Sequence, residues 1–235
     1  MADATTENGT PRAVLFDMDG VLVDSHDAHL RSWRRLAAEN DLPFDAPAFV
    51  RGFGRKSREI ITGWWPGRAG DAERLAARKE DLYRADVRRQ FPPGDGAAEL
   101  VRALAAAGYR LAVASSGPPQ NVVLVLDALG VADRFDAVVT GEDVTRGKPD
   151  PEVFLAAAQR LGVPPARCLV VEDAPLGVRA AHRGGMAALA VLSTGRRAED
   201  FVDDPPERTV RSLAEVTPAM VEEILAATDA ARKRG

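Results

Sequence analysis

The chain has little of several features on which specialised classes of protein depend. Its single cysteine, Cys168, excludes an internal disulfide and is compatible with a reducing compartment. No apolar run approaches the roughly 18 residues that a membrane span requires. No block of basic residues occurs, and 31 basic side chains face 35 acidic ones, a balance that disfavours nucleic-acid binding. The polar N-terminus, MADATTENGT, lacks a signal-peptide core. These absences predict a soluble cytoplasmic protein that binds neither nucleic acid nor a membrane.

Lysine is also scarce, whereas the remaining composition is that of an ordinary globular protein. The 235 residues are 46% hydrophobic and 28% charged, which suits one large domain or two modest ones. Only four of the 31 basic residues are lysines, so each retained lysine is more informative than a typical arginine of this chain. These lysines are Lys56, Lys79, Lys148 and Lys233.

Short apolar runs of strand length recur along the chain, and segments with helical spacing lie between them. Nearly continuous apolar character is typical of parallel strands that are covered on both faces. The runs are Ala13–Phe16, Leu111–Ala114, Ala137–Thr140, Cys168–Val171 and Ala187–Val191. The helical segments are Ala97–Ala107, Asn121–Leu129 and Pro151–Leu161. This alternation predicts an α/β fold with a Rossmann-like parallel sheet.

The segment that follows the first run interrupts this alternation. It shows only helical patterns, at Asp27–Glu39, Ser57–Trp65 and Asp71–Gln90, and it ends at a stiff Phe-Pro-Pro-Gly sequence. We therefore expect a small all-helical domain at residues 26–91, inserted into a core formed by residues 1–25 and 92–235.

Polar residues follow the predicted strands, and ligands of open parallel sheets bind beyond the carboxyl ends of the strands. Each such residue alone has a simpler interpretation as a turn, a helix cap or a surface charge. Their occurrence in order at successive strand ends favours one shared polar site. The residues are Asp17 and Asp19 after the first run, Ser115 and Ser116 after the second, Lys148 beyond the third, and Glu172 and Asp173 at the fourth.

Two familiar ligand-binding loops do not fit these segments. An EF-hand calcium loop that began at Asp17 would place Val21 at position five and Ala28 at position twelve, where oxygen ligands are needed. A phosphate-binding P-loop would need a shorter spacing before Gly147, and Pro149 stands where that motif requires Ser or Thr.

Four segments together resemble the motifs of the haloacid dehalogenase-like hydrolase superfamily. They are FDMDGVLVDS (16–25), VASSG (113–117), GKPDP (147–151) and VVEDAPLG (170–177), and the resemblance spans nearly the whole chain. The helical insertion is similar to the smaller cap domain of that superfamily. Within the superfamily, the chain most resembles the sugar-phosphate phosphatases and beta-phosphoglucomutases.

This resemblance implies a Mg²⁺-dependent phosphatase that acts on a small phosphorylated metabolite. Asp17 would attack phosphorus to give an aspartyl-phosphate, and Asp19 would act as general acid and then as general base. Lys148, Ser115 and Ser116 would bind the phosphoryl oxygens. The metal ligands would be Asp17, the backbone carbonyl of Asp19, Glu172 and Asp173. The dehalogenase branch of the superfamily lacks the second carboxylate, so Asp19 favours phosphate chemistry.

The predicted cap leaves more than one function open. His29, Arg55 and Lys79 fall where beta-phosphoglucomutases carry cap residues, so a phosphosugar mutase is the alternative to a phosphatase. A non-catalytic sensor of a phosphorylated ligand is a third hypothesis, which the presence of both Asp17 and Asp19 disfavours.

Three further points concern the cap itself. His26 and His29 share one helical face, although a zinc site there is disfavoured by the absence of nearby cysteine. Trp64 and Trp65 suit either the core of the cap or the wall of a sugar site. A cap that opens and closes over the core predicts a monomer.

Overall fold

Six parallel strands form a single sheet in the order β3-β2-β1-β4-β5-β6. The computed structural model describes residues 11–52, 55–193 and 195–233. The strands are β1 Ala13–Phe16, β2 Arg110–Ala114, β3 Ala137–Val139, β4 Cys168–Glu172, β5 Ala187–Val191 and β6 Arg208–Val210. The predicted α/β fold with a Rossmann-like parallel sheet is confirmed.

The central strand β1 explains why the strands are apolar at every position. Val14 and Phe16 belong to a hydrophobic cluster on one face of the sheet, whereas Ala13 and Leu15 belong to a cluster on the other face. Successive side chains of a strand point to opposite faces, and here helices cover both of them. All four β1 residues are consequently buried.

Helices occupy both the insertion and the connections between strands. The insertion contains α1 His26–Glu39, α2 Ala46–Gly52, α3 Ser57–Trp64 and α4 Ala72–Arg89. The remainder contains α5 Ala97–Ala106, α6 Pro119–Leu129, α7 Glu152–Leu161, α8 Pro175–Arg183 and α9 Pro218–Arg232. No helix among the described residues is long and apolar enough to cross a membrane.

The insertion helices α1 to α4 have their own hydrophobic cluster, which is centred on three tryptophans. The ring centroids of Trp33 and Trp64 lie 5.1 Å apart, and those of Trp33 and Trp65 lie 6.1 Å apart. Trp65 is buried, and its Nε1 donates a hydrogen bond to the carbonyl of Pro43 at 2.9 Å. Trp64 and Trp65 thus belong to the core of this helical segment. Its folding as a separate domain, with bounds at residues 26 and 91, stays a prediction.

Three elements had no counterpart in the sequence-based prediction. The helix α2 has only seven residues and contains both proline and glycine. The strand β6 is a three-residue edge strand in which only Val210 is buried, so it has no apolar run. The helix α9 does have a start signal, since Thr217 accepts a hydrogen bond from the amide of Met220 and Pro218 occupies the first turn.

Candidate active site

Three carboxylates meet at the carboxyl ends of β1 and β4, the two central neighbours of the sheet. Asp17 directly follows β1, and its amide donates a hydrogen bond to the carbonyl of Val171 at 2.9 Å. Glu172 ends β4, and Asp173 is the next residue. Each of the three buried side chains offers one oxygen, and these oxygens lie within 4.8 Å of one another. The sheet order reverses at this point, which is where open α/β sheets bind their ligands.

Lys148 lies inside this group of acids. Its Nζ donates hydrogen bonds to Oδ1 of Asp17 at 2.8 Å and to Oε1 of Glu172 at 2.5 Å. The side chain is only 2% exposed, so the alternative of a solvated surface lysine is wrong. The loop after β3 therefore brings the lysine to the site that the sequence predicted.

Burial, together with the excess of three carboxylates over the single ammonium that faces them, raises the pKa values of Asp17 and Asp173. Burial, opposed by Lys148 and reinforced by Glu172 and Asp19, raises the pKa of Asp17 to about 7. Burial together with the charges of Glu172 and Asp17 raises the pKa of Asp173 well above its usual range. A buried set of hard oxygen donors with excess negative charge fits a Mg²⁺ ion.

Two glycines permit the close packing of these acids. Gly20 has a φ of +79°, and a Cβ atom there would lie 2.2 Å from Oδ2 of Asp173. A Cβ atom on Gly177 would lie 1.8 Å from Oε1 of Glu172. The glycines of the DMDG and APLG segments therefore make room for the acidic side chains.

Glu172 is held by the turn that leads into α8 as well as by Lys148. Its Oε2 accepts hydrogen bonds from the amides of Asp173 and Ala174, both at 2.8 Å. The alternative role of Glu172 as a cap of α8 is wrong, because Ala174 occupies the N-cap position and the two amides bound by Glu172 precede the helix.

Asp19 contacts the helical segment rather than the acidic group. Its Oδ1 lies 2.9 Å from Nε2 of His29 and accepts a hydrogen bond from the Tyr83 hydroxyl at 3.2 Å. On the other side of the imidazole, Nζ of Lys79 lies 2.7 Å from Nδ1 of His29. An ammonium can only donate, so Nδ1 accepts and the Nε2 proton points to Asp19. The His29 ring also stacks on Tyr83, with centroids 4.1 Å apart.

These partners keep Asp19 ionised. Burial raises the pKa of its carboxyl, but His29 and the positive charge of Lys79 behind it oppose this effect. The hydrogen bond from His29 acts in the same direction, and the net result is a pKa of about 2. Asp19 is therefore a carboxylate at neutral pH whenever these contacts are made.

A cavity lies between the helical segment and the sheet edge. Six of the predicted site residues line it: Asp17, Asp19, His29, Arg55, Lys79 and Ser116. Ser115 is buried, and its Oγ accepts a hydrogen bond from the amide of Gly117 at 3.0 Å. The alternative role of Ser115 as a cap of α6 is wrong, because Pro118 occupies that position.

The predicted residues differ in their relation to the possible metal site. Within the described ranges, the group of His, Cys, Asp and Glu side chains close enough to share a metal consists of Asp17, Glu172 and Asp173. The Asp19 side chain and the pair His26 and His29 fall outside that group, so the zinc alternative gains no support.

The sequence analysis missed three buried polar residues, of which Glu80 and Asn121 line this cavity and Tyr83 contacts Asp19. Oε1 of Glu80 accepts hydrogen bonds from Ser57 at 2.6 Å and Lys79 at 3.0 Å, and Oε2 accepts one from Asn121 at 2.7 Å. Glu80 and Asn121 are 41 residues apart and join α4 to α6. No recognisable sequence motif contains Glu80, Asn121 or Tyr83. The sequence therefore carried no signal that these residues belong to the site.

Comparison with known proteins agrees with this architecture. The chain is 32% identical over 184 residues to validoxylamine A 7'-phosphate phosphatase of Streptomyces hygroscopicus subsp. limoneus, covering 78% of this chain and 86% of that protein. It is 34% identical over 191 residues to beta-phosphoglucomutase of Bacillus subtilis, covering 77% and 83%.

A solved structure gives the same result at the level of the fold. The crystal structure of CbbY from Rhodobacter sphaeroides in complex with phosphate superposes with a TM-score of 0.79 at 27% identity, covering 91% of this chain and all of that one. Residues 11–185 match the haloacid dehalogenase-like hydrolase family. The chain therefore belongs to the haloacid dehalogenase-like hydrolase family, as its four motifs predicted.

Proposed function

We propose that the protein is a phosphatase that hydrolyses small phosphorylated metabolites, with sugar phosphates as the expected class. The observation that carries this proposal is the position of Asp17, buried beside Lys148 and open to the same cavity as Asp19. The names of relatives that act on phosphate esters support the same class of chemistry.

In the first half of the proposed reaction, an oxygen of Asp17 attacks phosphorus and the bond between phosphorus and the ester oxygen breaks. Asp19, in the protonated form that it takes up once its contacts with His29 and Tyr83 are released, gives a proton to that departing oxygen, which leaves as an alcohol. Lys148 donates to the oxygens of the phosphoryl group, and Ser116 binds that group from the cavity wall. Ser115 supports the turn that presents Ser116.

In the second half, a water molecule attacks phosphorus of the aspartyl-phosphate, and Asp19 accepts the proton from that water. Phosphate leaves and the Asp17 carboxylate is restored. The contacts of Asp19 with His29 and Tyr83 favour its ionised form, which suits the role of base in this step.

We assign Mg²⁺ to the acidic group at the ends of β1 and β4. Asp17, Glu172 and Asp173 would hold it with their side chains, and Asp19 with its backbone carbonyl. When bound, Mg²⁺ would supply the positive charge that offsets the doubly negative phosphate ester. The charge excess of the three acids over Lys148 supports this assignment.

One observation favours a phosphosugar mutase as the second candidate. His29 and Lys79 connect the helical segment to Asp19, so closure of that segment and placement of the acid–base carboxylate are linked. A mutase requires such a link because its phosphorylated enzyme must wait for a sugar phosphate. The match to a beta-phosphoglucomutase supports this alternative.

The two candidate functions are distinguished by measuring whether the phosphate group is released or transferred. Purified protein with Mg²⁺ is incubated with a panel of sugar phosphates, with and without a sugar bisphosphate. We expect free phosphate from several of them without any bisphosphate. Interconversion of glucose 1- and 6-phosphates that depends on a bisphosphate, with little free phosphate, would contradict the phosphatase and establish the mutase. Failure to turn over even p-nitrophenyl phosphate would favour the non-catalytic sensor.

A variant of the cap histidine sharpens this comparison. We expect His29→Ala to reduce hydrolysis of sugar phosphates more than hydrolysis of p-nitrophenyl phosphate, because a nitrophenyl group offers the cap none of the hydroxyl groups of a sugar. His26→Ala, three residues earlier on α1, is the matched control and should resemble the wild type.

We also propose that the enzyme acts as a cytoplasmic monomer. The support is that one chain supplies both the acidic group and the residues that cover it. Light scattering of the purified protein tests the oligomeric state, and a dimer mass would contradict the proposal.

A further inference from the structure

Lys56 reaches from the helical segment to the sheet domain. It immediately precedes α3, and its Nζ donates hydrogen bonds to the carbonyls of Gly141 at 2.8 Å and Val144 at 2.6 Å. These acceptors lie 85 and 88 residues further along the chain. They belong to the loop that connects β3 to Lys148.

That loop is itself tied to the phosphate-binding turn after β2. The amide of Gly141 donates a hydrogen bond to the carbonyl of Gly117 at 2.9 Å. A Cβ atom on Gly141 would lie 2.3 Å from the carbonyl oxygen of Ser116, so the two backbones are in close contact. Lys56 therefore binds a loop that contacts the turn carrying Ser116 and ends at Lys148.

The residues on either side of Lys56 face the active-site cavity rather than that loop. Arg55 and Ser57 both line the active-site cavity. Lys56 has an extended backbone, with φ −63° and ψ 134°, and neighbouring side chains of an extended segment point in opposite directions. Residues 55–57 thus place the side chains of Arg55 and Ser57 at the cavity, while the side chain of Lys56 binds the loop after β3.

Lysine suits this contact better than arginine does. Two carbonyl oxygens converge on one nitrogen, and an ammonium offers three rotatable donors at a single point, whereas a guanidinium is a planar fork. The chain uses arginine for most of its basic residues, and Lys56 is one of its four lysines.

We propose that Lys56 is a positioning residue that docks the cap on the loop after β3 and thereby sets where Arg55 and Ser57 meet the substrate. It would matter for phosphate esters large enough to contact the cap and not for small ones. The part of this inference that concerns substrates rests on the proposed phosphatase function.

The test compares Lys56→Met with Arg58→Met, a control variant that loses a positive charge at a nearby position. Met keeps an unbranched stem but has no donor. The control is Arg58→Met, because Arg58 lies two residues away and its ion pair at 2.8 Å is with Glu73 of the same helical segment. Lys56→Arg shows whether a positive charge alone is sufficient.

The first measurement is independent of activity. Hydrogen–deuterium exchange is followed in the wild type and the three variants without substrate. We expect Lys56→Met to accelerate exchange at residues 55–64 and 141–147 by about tenfold or more, which is the scale of a lost hydrogen bond from a charged donor. Arg58→Met should match the wild type. Unchanged exchange in Lys56→Met, or equal acceleration in Arg58→Met, would overturn the proposal.

The second measurement is the ratio of kcat/KM for glucose 6-phosphate to that for p-nitrophenyl phosphate. We expect Lys56→Met to lower this ratio roughly tenfold or more, with Lys56→Arg intermediate and Arg58→Met unchanged. An equal fall with both substrates, or no fall, would overturn the role in specificity. If the wild type hydrolyses neither ester, the proposed function fails, and the exchange experiment alone decides the docking role.

Discussion

Replacing Asp17 by Asn should stabilise the metal-free protein at neutral and alkaline pH while it abolishes turnover. The reason is the charge imbalance around Asp17, whose pKa is raised to about 7 by burial and by the charges of Glu172 and Asp19, against the effect of Lys148. Asn has nearly the same shape, can still accept from Lys148 and carries no charge. The variant lacks the proposed nucleophile, so turnover is lost while the fold is retained.

The size of this stabilisation follows from the pKa of Asp17, which lies about three units above its usual value of 3.8. One unit corresponds to about 1.4 kcal/mol, so ionised Asp17 destabilises the fold by up to roughly 4 kcal/mol. Between pH 3.8 and 7 the folded state binds more protons than the unfolded state, so stability falls as the pH rises through that window. Above pH 7 the penalty is fully present. For a chain of this size it corresponds to a melting temperature difference on the order of 10 °C.

Thermal unfolding in the presence of a chelator tests this reasoning at pH 5 and pH 8. We expect Asp17→Asn to have a higher melting temperature than the wild type at pH 8. This difference in melting temperature should be smaller at pH 5. Added Mg²⁺ should raise the melting temperature of the wild type more than that of the variant. Asp24→Asn, which removes an exposed carboxylate seven residues away, serves as the control. A variant that is less stable than the wild type at pH 8, or a difference that does not depend on pH, would refute the argument.

Three further predictions follow from individual contacts. Asp19→Asn should lower kcat by about 10²–10⁴-fold in a phosphate-release assay, because the proton transfers lose their carrier, with an unchanged circular dichroism spectrum. Gly177→Ala should lower stability by about 1–3 kcal/mol in urea unfolding and reduce activity, because its Cβ would lie 1.8 Å from an oxygen of Glu172. Trp65→Ala should cost about 3–5 kcal/mol in the same unfolding assay, since it empties the tryptophan cluster and removes the hydrogen bond to Pro43.

The sheet and the acidic group could be predicted from sequence because each depends on a local signal. A strand covered on both faces is apolar at every position, which made β1, β2, β4 and β5 recognisable. Residues that directly follow such strands must lie at one edge of the sheet, so the proximity of Asp17 to Glu172 and Asp173 follows from their position in the chain. Lys148 lies nine residues beyond β3, so its placement depended on its order among the other strand-end residues and on the motif that it shares with a known family.

The contacts across the cavity could not be predicted in this way. Glu80 binds Asn121, and Lys56 binds Gly141 and Val144, across separations of 41 to 88 residues. Such pairs depend on how the helical segment is placed over the sheet, and helical periodicity carries no information about that placement. A charged residue within α4 is more often solvated than buried, so no sequence-based reason placed Glu80 at the site.

The same cross-cavity contacts bear on the choice between hydrolysis and transfer. In the proposed mechanism, Asp17, Lys148 and Asp173 would serve either reaction, because both would pass through the same phosphorylated aspartate. The reactions differ in whether water or a second sugar phosphate reaches that intermediate first. Hydrogen bonds that hold the cap closed, such as those from Lys56 to the loop after β3 and from His29 to Asp19, oppose the entry of water. A change that weakens them without touching the acidic group should therefore raise the fraction of phosphorylated enzyme that is hydrolysed rather than used for transfer, even where it lowers the overall rate. We accordingly expect the residues that decide between phosphatase and mutase to lie where the cap meets the core, and not among the carboxylates of the proposed mechanism.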